Sequence, residues 1–402
     1  MYIFRKVNRL FTFVYTIMKL VIYMIDEVVK KFNIKGELVS VDINDSGNIN
    51  NTYIATFRNE DGTLKKYLVQ RINTTVFTEP YKLMKNIEGV TSYLKRQMRK
   101  EGDSCHRVLE VIKTKDNKSL CYVDNDGQRD YYRMYEFIEN AVTYDYSTDA
   151  NIVFNTGAAF GSFQKALKDY PMNRLHETIP DFHDTKKRYK KLIDDIKIDP
   201  EGRVMDVANE IVFILMREDI CPLIMDSLGT DKLPYRVTHN DTKVNNVMMN
   251  SMTGEYMAVI DLDTVMPGSL LFDYGDGIRS TASTAKEDET DLSKVHLNLE
   301  LFEAYTRGYL SEMAPYITEE ELDLMGESIR IITLELAIRF LNDYINGDTY
   351  FKTNYPTHNL DRTRNQLRLV QDIESKLDYI NQFIYDCYYE YKKQDGPVLK
   401  LK

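Results

Sequence analysis

Two stretches decide the reading of this chain: V-T-H-N-D-T-K-V-N-N at residues 237–246 and V-I-D-L-D-T-V at 259–265. Residues 244–250 and 255–260 read as two strands joined by the turn S-M-T-G, and counting outward from that turn brings Asn246 roughly opposite Asp261. Asp241 precedes the first strand, in an irregular loop that can aim it at the same point. Three oxygen-bearing side chains on one point suit a hard cation. Mg²⁺ takes one or two carboxylates, an amide and water, and keeps positions for substrate phosphates. The competing reading is a polar turn with capping aspartates. His239 reads as a scaffold for the loop rather than a proton shuttle, and Asp263 as either an orienting or a ligating group.

The 402 residues are 43% hydrophobic and 28% charged, a composition that folds into two or three structural units or one enzyme of two lobes. A net charge of -10 argues against non-specific nucleic-acid binding and leaves room for a local phosphate pocket. Cys105, Cys121, Cys221 and Cys387 form no C-x-x-C pair, so neither a zinc site nor a disulfide framework is expected, as in a reducing cytoplasm. The segment 10–25 is apolar and follows Arg5, Lys6 and Arg9. It reads as an amphipathic extension or as a start called too early, with Met18 and Met24 inside it. A signal or anchor is the alternative, but Lys19 interrupts the run, which is shorter than a membrane span, and no small-residue cleavage site follows.

Outward from the hairpin, the period of the pattern divides the chain. Residues 25–32 read as helix. V-S-V-D-I, T-Y-I-A-T-F and K-K-Y-L-V-Q-R-I are short strands separated by S-G-N-I-N-N and by the hairpin signal N-E-D-G. Pro80 opens a helix to about Arg99. Residues 107–138 return to strands: V-L-E-V-I, then a hairpin about D-N-D-G, then Y-Y-R-M-Y-E-F-I. From Asp149 helices dominate. Thr318 with Glu321 makes a capping box before a helix through Leu341, and Asn359 or Asp361 starts one more, running to about Tyr391. The expected architecture is α+β: an extension at 1–24, a small β-rich lobe at 25–140 and a larger, mainly helical lobe at 141–402. No internal repeat or linker interrupts it.

The spacing His239-x-Asp241-x-x-x-x-Asn246, followed after a hairpin by an apolar run ending in Asp261, resembles the catalytic loop and metal aspartate of the protein-kinase-like superfamily. The resemblance implies a two-lobed kinase-like fold, ATP and Mg²⁺. Asp241 would accept the proton of the attacking hydroxyl, while Asn246 and Asp261 would hold metal bridging the nucleotide phosphates. In the first lobe, Gly47, Asn48, Asn50, Asn51 and Thr52 lie in a glycine-bearing loop between strands, the kind that brings backbone N–H groups to phosphate. Arg71 ends the third strand where the superfamily carries a phosphate-pairing lysine. Gln70 is the alternative alignment, and Glu88 the candidate acidic partner. Residues 134–138, with Glu136 and Ile138, would be the hinge that meets adenine.

No D-F-G or A-P-E follows Asp261, so the chain resembles small-molecule kinases of the aminoglycoside phosphotransferase and choline kinase group. Among these, S-G-N-I-N-N-T-Y, E-T-I-P-D-F-H-D-T, H-N-D-T-K-V-N-N-V, F-D-Y-G-D-G-I-R and R-F-L-N-D-Y-I-N-G-D-T-Y-F are similar to N-acetylhexosamine 1-kinases. That resemblance implies phosphoryl transfer to the anomeric hydroxyl of N-acetylgalactosamine or N-acetylglucosamine, with His183, Arg279, Arg339 and Tyr350 as sugar contacts. For Arg279 and Arg339 an ion pair is an equal alternative. An aminoglycoside, choline or homoserine kinase, and a non-catalytic binding protein on the same scaffold, are the rival functions. The partners expected are ATP and a small sugar, with no nucleic acid and no membrane.

Overall fold

The computed structural model describes residues 21–44, 49–103, 105–125 and 127–394. Residues 1–20 of the expected extension at 1–24 and the loop residues Gly47 and Asn48 lie outside the described residues, whereas 21–24 belong to a helix. The chain divides into two compact units, one reaching to Ser92 and resuming over Val108–Glu139, the other made of Tyr93–Arg107 and everything from Asn140 onward.

The first unit is a five-stranded antiparallel sheet in the order β1-β2-β3-β5-β4, built from β1 (Glu37–Asn44), β2 (Asn51–Arg58), β3 (Leu64–Arg71), β4 (Leu120–Asn125) and β5 (Gln128–Glu136). Alternation along these strands sends Tyr53, Ala55, Phe57, Tyr67, Val69, Tyr132 and Met134 to one face. Helix α1, described over 21–29, covers that face with Ile25, Val28 and Val29, and Phe32 follows them into the same cluster. Val21 and Met24 pack against it too, and the Tyr132 hydroxyl donates to Met24 Sδ. The run 108–112, expected as a strand, makes a single bridge from Val111 to Tyr135. Its backbone bonds the sheet only where Ile112 N meets Met134 O and Glu136 N meets Glu110 O, so β-propensity alone does not extend it.

Helix α2 (Pro80–Glu101) starts at the expected proline. Residues 93–107, expected in the first unit, cluster with the second. There the Tyr93 ring meets Tyr170, His106 stacks on Tyr256, and Arg107 N donates to Met257 O.

The second unit is helical around two small sheets. A three-stranded sheet, ordered β6-β8-β9, joins β6 (Ala141–Val142), β8 (Val247–Asn250) and β9 (Tyr256–Val259). Strand β7 (Arg236–Thr238) pairs with β10 (Met266–Gly268). The helices are α3 (Ala150–Leu167), α4 (Thr185–Ile198), α5 (Ala208–Leu215), α6 (Leu223–Ser227), α7 (Leu270–Thr281), α8 (Leu299–Met313), α9 (Glu319–Ile345), α10 (His358–Ser375) and α11 (Leu377–Gln394). The capping box at Thr318 forms as expected: the threonine side chain accepts Glu321 N, and Glu321 accepts the Thr318 N–H. The single last helix expected from the pattern is two, because the backbone leaves α-geometry at Lys376 (φ -114°, ψ 4°), between α10 and α11. Helix α9 runs through the unit against α4, α7, α10 and α11. Helices α3 and α8 approach closely through glycines. A Cβ on Gly157 would strike the Tyr305 carbonyl, and one on Gly308 the Phe154 carbonyl. Among the described residues no helix is long and apolar enough to cross a membrane.

Candidate active site

The loop between β7 and β8 is held from several sides, and each hold is local chemistry that the fold brings together. Asp273, in the first turn of α7, accepts the backbone N–H of His239 at 2.8 Å and of Asn240 at 2.7 Å, and takes the Gln164 amide at 2.6 Å. These bonds fix Asn240 in the left-handed region at φ 64°, a conformation that asparagine tolerates better than most residues. Burial raises the Asp273 carboxyl above the ordinary range, although the charge of His239 and the two backbone donors work against that rise. Thr242 donates to the Asp273 carbonyl, and Thr264 to the His239 carbonyl. His239 is fully buried, donates from Nε2 to the Ile260 carbonyl at 2.8 Å and packs edge-on to Phe160 and Phe163. It is therefore the scaffold the sequence suggested.

Asp241 is half-buried beside two partners. Lys243 Nζ lies 2.6 Å from its Oδ1, and Asn246 Nδ2 donates to Oδ2 at 3.0 Å and to the Asp241 carbonyl at 2.8 Å. Burial pushes this carboxyl up, but the ammonium of Lys243, with the bond from Asn246, brings it below the ordinary carboxylate range. Asp241 therefore stands ionised and able to take a proton. Because Nδ2 of Asn246 is turned to Asp241, its amide oxygen points away from that carboxylate.

The hairpin differs in detail from the expected one. Residues 244–246 are a turn of 3₁₀ helix before β8, and the ladder pairs Val247 with Val259. The carbonyl of Asn246 accepts Ile260 N, so Asn246 lies across from Ile260, one residue short of Asp261. Counting from the turn without a bulge pairs Asn246 with Val259, and the bulge between Met248 and Met249 moves its partner to Ile260. Asp261 still falls at the same end, exposed, with a left-handed backbone at φ 57°, whereas Asp263 is buried. Two positive-φ residues, Asn240 and Asp261, thus flank one spot, and such strain persists where surrounding structure holds it. Among the described residues no group of three or more His, Cys, Asp and Glu side chains is placed to hold a metal. One amide oxygen and one exposed carboxylate fit Mg²⁺, which draws its other ligands from phosphate and water.

The proposed acceptor contacts separate. Both ring nitrogens of His183 are engaged, Nδ1 with Glu335 Oε1 at 2.9 Å and Nε2 with the Asn240 carbonyl at 3.1 Å. His183 is thereby another anchor of the loop, and sugar contact is not where its polar atoms go. Arg279 is buried in an ion pair with Asp276 at 2.7 Å and reaches Glu287 at 3.2 Å, the alternative weighed for it. Arg339 makes no such pair. Its guanidinium lies 5.1 Å from the Phe182 ring, 5.5 Å from Phe351 and 5.9 Å from Tyr350. Arg339 and Tyr350 line one cavity of roughly 310 Å³ with Arg188, Lys191, Asn342 and Asn346, within the size range of small-molecule sites.

In the first unit, β3 sends the two candidate residues to opposite faces. Arg71 shares the α1-covered face with Tyr67 and Val69 and pairs with Asp130 at 2.6 Å. Gln70 points to the opposite face, where its amide donates to Thr52 Oγ1 at 3.1 Å and accepts Arg133 Nε at 3.0 Å. Strand alternation therefore puts Gln70, not Arg71, beside Thr52. Glu88 pairs with Lys113 rather than with Arg71. Asn50 accepts Asn73 N, Asn51 opens β2, Glu136 pairs with Lys65 at 3.1 Å, and Ile138 is half-buried. The sequence reading missed Asp273, Lys243 and Arg188. Lys243 had a signal, since it sits two residues from Asp241.

Residues 44–316 match the model of the phosphotransferase enzyme family known as APH. The chain belongs to that family. Among solved structures it is similar to a microcompartment-associated aminopropanol kinase, at 15% identity over 89% of this chain and 98% of that one, with a TM-score of 0.58. An amicoumacin kinase in complex with AMP-PNP, Ca²⁺ and its substrate matches at 15% identity, 90% and 93% coverage and a TM-score of 0.53. A spectinomycin phosphotransferase with ADP and spectinomycin matches at 12%, 85% and 94%, and 0.52. The fold is protein-kinase-like, and the class is that of phosphotransferase enzymes.

Proposed function

We propose that this chain transfers the γ-phosphoryl group of ATP to the anomeric hydroxyl of an N-acetylhexosamine, with the cavity of Arg339 and Tyr350 as the acceptor site. The observation that carries this choice is the charge of the cavity wall: Arg188 and Arg339 stand in it, Lys191 is paired with Asp195, and Asp343 is the acidic residue of the lining. Both oxygens of Asp343 are occupied, by the N–H groups of Thr349, Tyr350 and Phe351 and the Asn359 amide. Choline and aminoglycosides are cations at neutral pH, and so are simple amino alcohols, so a wall of this sign repels them. A neutral ring rich in hydroxyls and bearing an acyl amide suits it. Glu335, one helical turn from Arg339, ties the cavity to the loop through His183 and the Asn240 carbonyl.

In this reading Asp241 takes the proton of the anomeric hydroxyl, the most acidic hydroxyl of a reducing sugar, as phosphoryl transfer proceeds. Lys243 keeps that carboxyl ionised. Asn246 and Asp261 hold Mg²⁺, which neutralises phosphate charge when bound. Asn50, Asn51 and Thr52 of the first unit, with Gln70 in place of a lysine, take the nucleotide. The test is to incubate N-acetylhexosamines with Mg²⁺-ATP and read the product by phosphorus and proton NMR. Phosphate coupled to the anomeric proton is expected. A 1-O-methyl glycoside phosphorylated equally well would show that another hydroxyl attacks.

A further inference from the structure

Arg188 on α4 and Arg339 on α9 line one cavity from two helices, and among the described residues neither guanidinium has an acceptor for each of its donors. Arg188 donates from Nη2 to the Phe182 carbonyl at 3.2 Å, and its Nε is sealed from solvent with no acceptor. Arg339 touches aromatic rings and has no carboxylate within ion-pair distance among the described residues. The carboxylates around them are already engaged: Glu335 by His183 and Thr185, Asp195 by Lys191 and Asn346, Asp343 by backbone N–H groups. A guanidinium has five N–H donors and no acceptor, and a buried donor without an acceptor costs about 1–3 kcal/mol. The two guanidiniums of this cavity are short of acceptor oxygens, while one acceptor of the wall, Asn342 Oδ1, is buried without a donor among the described residues.

We propose that Arg188 and Arg339 together form a clamp for an sp² oxygen, so that the cavity selects acceptors presenting an acyl-amide carbonyl or a carboxylate and rejects those presenting an ammonium. This rests on the reading of the cavity as the acceptor site. An sp² oxygen offers two lone pairs and no competing proton, and the planar donor fork of arginine matches it. A hydroxyl accepts less and must also donate, for which Asn346 of the wall carries an amide oxygen. An ammonium adds donors where donors are in excess and a charge of the same sign. Arg188 is thus a specificity-determining residue. Arg339 lies against the rings of Phe182, Tyr350 and Phe351, which hold its plane while leaving its N–H edge to the ligand.

The test is an NMR titration of the full chain with four sugars: an N-acetylhexosamine, a hexuronate, the parent hexose and the hexosamine. The unmodified chain should bind the first two at least tenfold more tightly than the hexose, with the hexosamine weakest. Arg188→Gln should weaken the first two at least fivefold, leave the hexose within twofold and leave the KM for ATP unchanged. If only one of the two sp² sources binds tightly, that source is the one the clamp is built for. Equal weakening of all four sugars by Arg188→Gln would mean that Arg188 merely braces the Phe182 carbonyl, and would overturn the clamp. So would an unmodified chain that binds hexose and N-acetylhexosamine alike, a result that needs no variant to fold. Selective binding without phosphorylation would instead remove the kinase assignment and leave the clamp standing.

Discussion

Replacing Asp273 with alanine should disarm the active-site loop from behind. The carboxylate touches none of the groups assigned to proton or metal, yet it holds the His239 and Asn240 N–H groups and the Gln164 amide. The two backbone donors are buried, and each left without an acceptor costs about 1–3 kcal/mol, so roughly 2–6 kcal/mol of folding stability should go. Gln164 is fixed by the Tyr309 hydroxyl on its other end and cannot easily turn to a new partner. Much of a typical domain's 5–15 kcal/mol would be lost. The loop would also relax, because the left-handed Asn240 costs about 1–2 kcal/mol to hold and its restraint is gone. A shift of about 1 Å at Asp241 lowers turnover about 100-fold. Asp273→Asn keeps one acceptor oxygen and should lose about half as much stability. Urea unfolding gives the first quantity, and kcat with saturating ATP and sugar the second. Unfolding free energy within about 1 kcal/mol of the parent, with kcat within threefold, would refute the role of this clamp.

Asp241→Asn should fold and bind ATP while losing nearly all turnover, since an amide cannot take the hydroxyl proton; activity within threefold of the parent would remove Asp241 as base. The buried His183–Glu335 pair predicts a stability plateau. Burial lowers the His183 pKa but Glu335 more than offsets it, so the histidine's contribution is full below about 6.5 and is lost as pH rises through its elevated value. Burial raises the Glu335 pKa but the charge of His183 more than offsets that, so its contribution is full above about 4.3 and is lost as pH falls through its depressed value. Glu335→Gln should cost about 3–5 kcal/mol at pH 6 and flatten the alkaline decline, and urea denaturation across pH that showed the same decline in both chains would contradict the pairing. A chain starting at Met24 keeps Ile25, Val28, Val29 and Phe32 and should remain soluble and active, whereas one starting after Phe32 uncovers the sheet and should precipitate; an insoluble Met24 form would place structure in the preceding residues.

What the sequence disclosed was what short-range pattern encodes. The hairpin, the capping box at Thr318 and the strands around N-E-D-G each rest on a few adjacent residues. Asp273 was hidden because its partners, the N–H groups of residues 239 and 240, have no side-chain signature. Arg188 was hidden in K-K-R-Y-K-K, a basic run that in one dimension is a solvated helix face. The side of the strand that Gln70 and Arg71 each take is fixed only by the register with β2 and β5. The break at Lys376 has neither glycine nor proline to announce it.

The glycines between α3 and α8 set a timetable for synthesis. Gly157 and Gly308 are about 150 residues apart, and at roughly 5–20 residues per second the ribosome needs about 8–30 s to deliver the second after the first. Throughout that interval the face of α3 shaped to receive α8 emerges with no partner, and no bulky side chain at Gly157 shields the backbone there. The loop bearing Asp241 is made during the same wait, before α7, whose Asp273 secures it. In the nascent chain this loop is therefore secured only once α7 has been made, and a translation pause between residues 241 and 308 should lengthen the period in which a holding chaperone has something to bind.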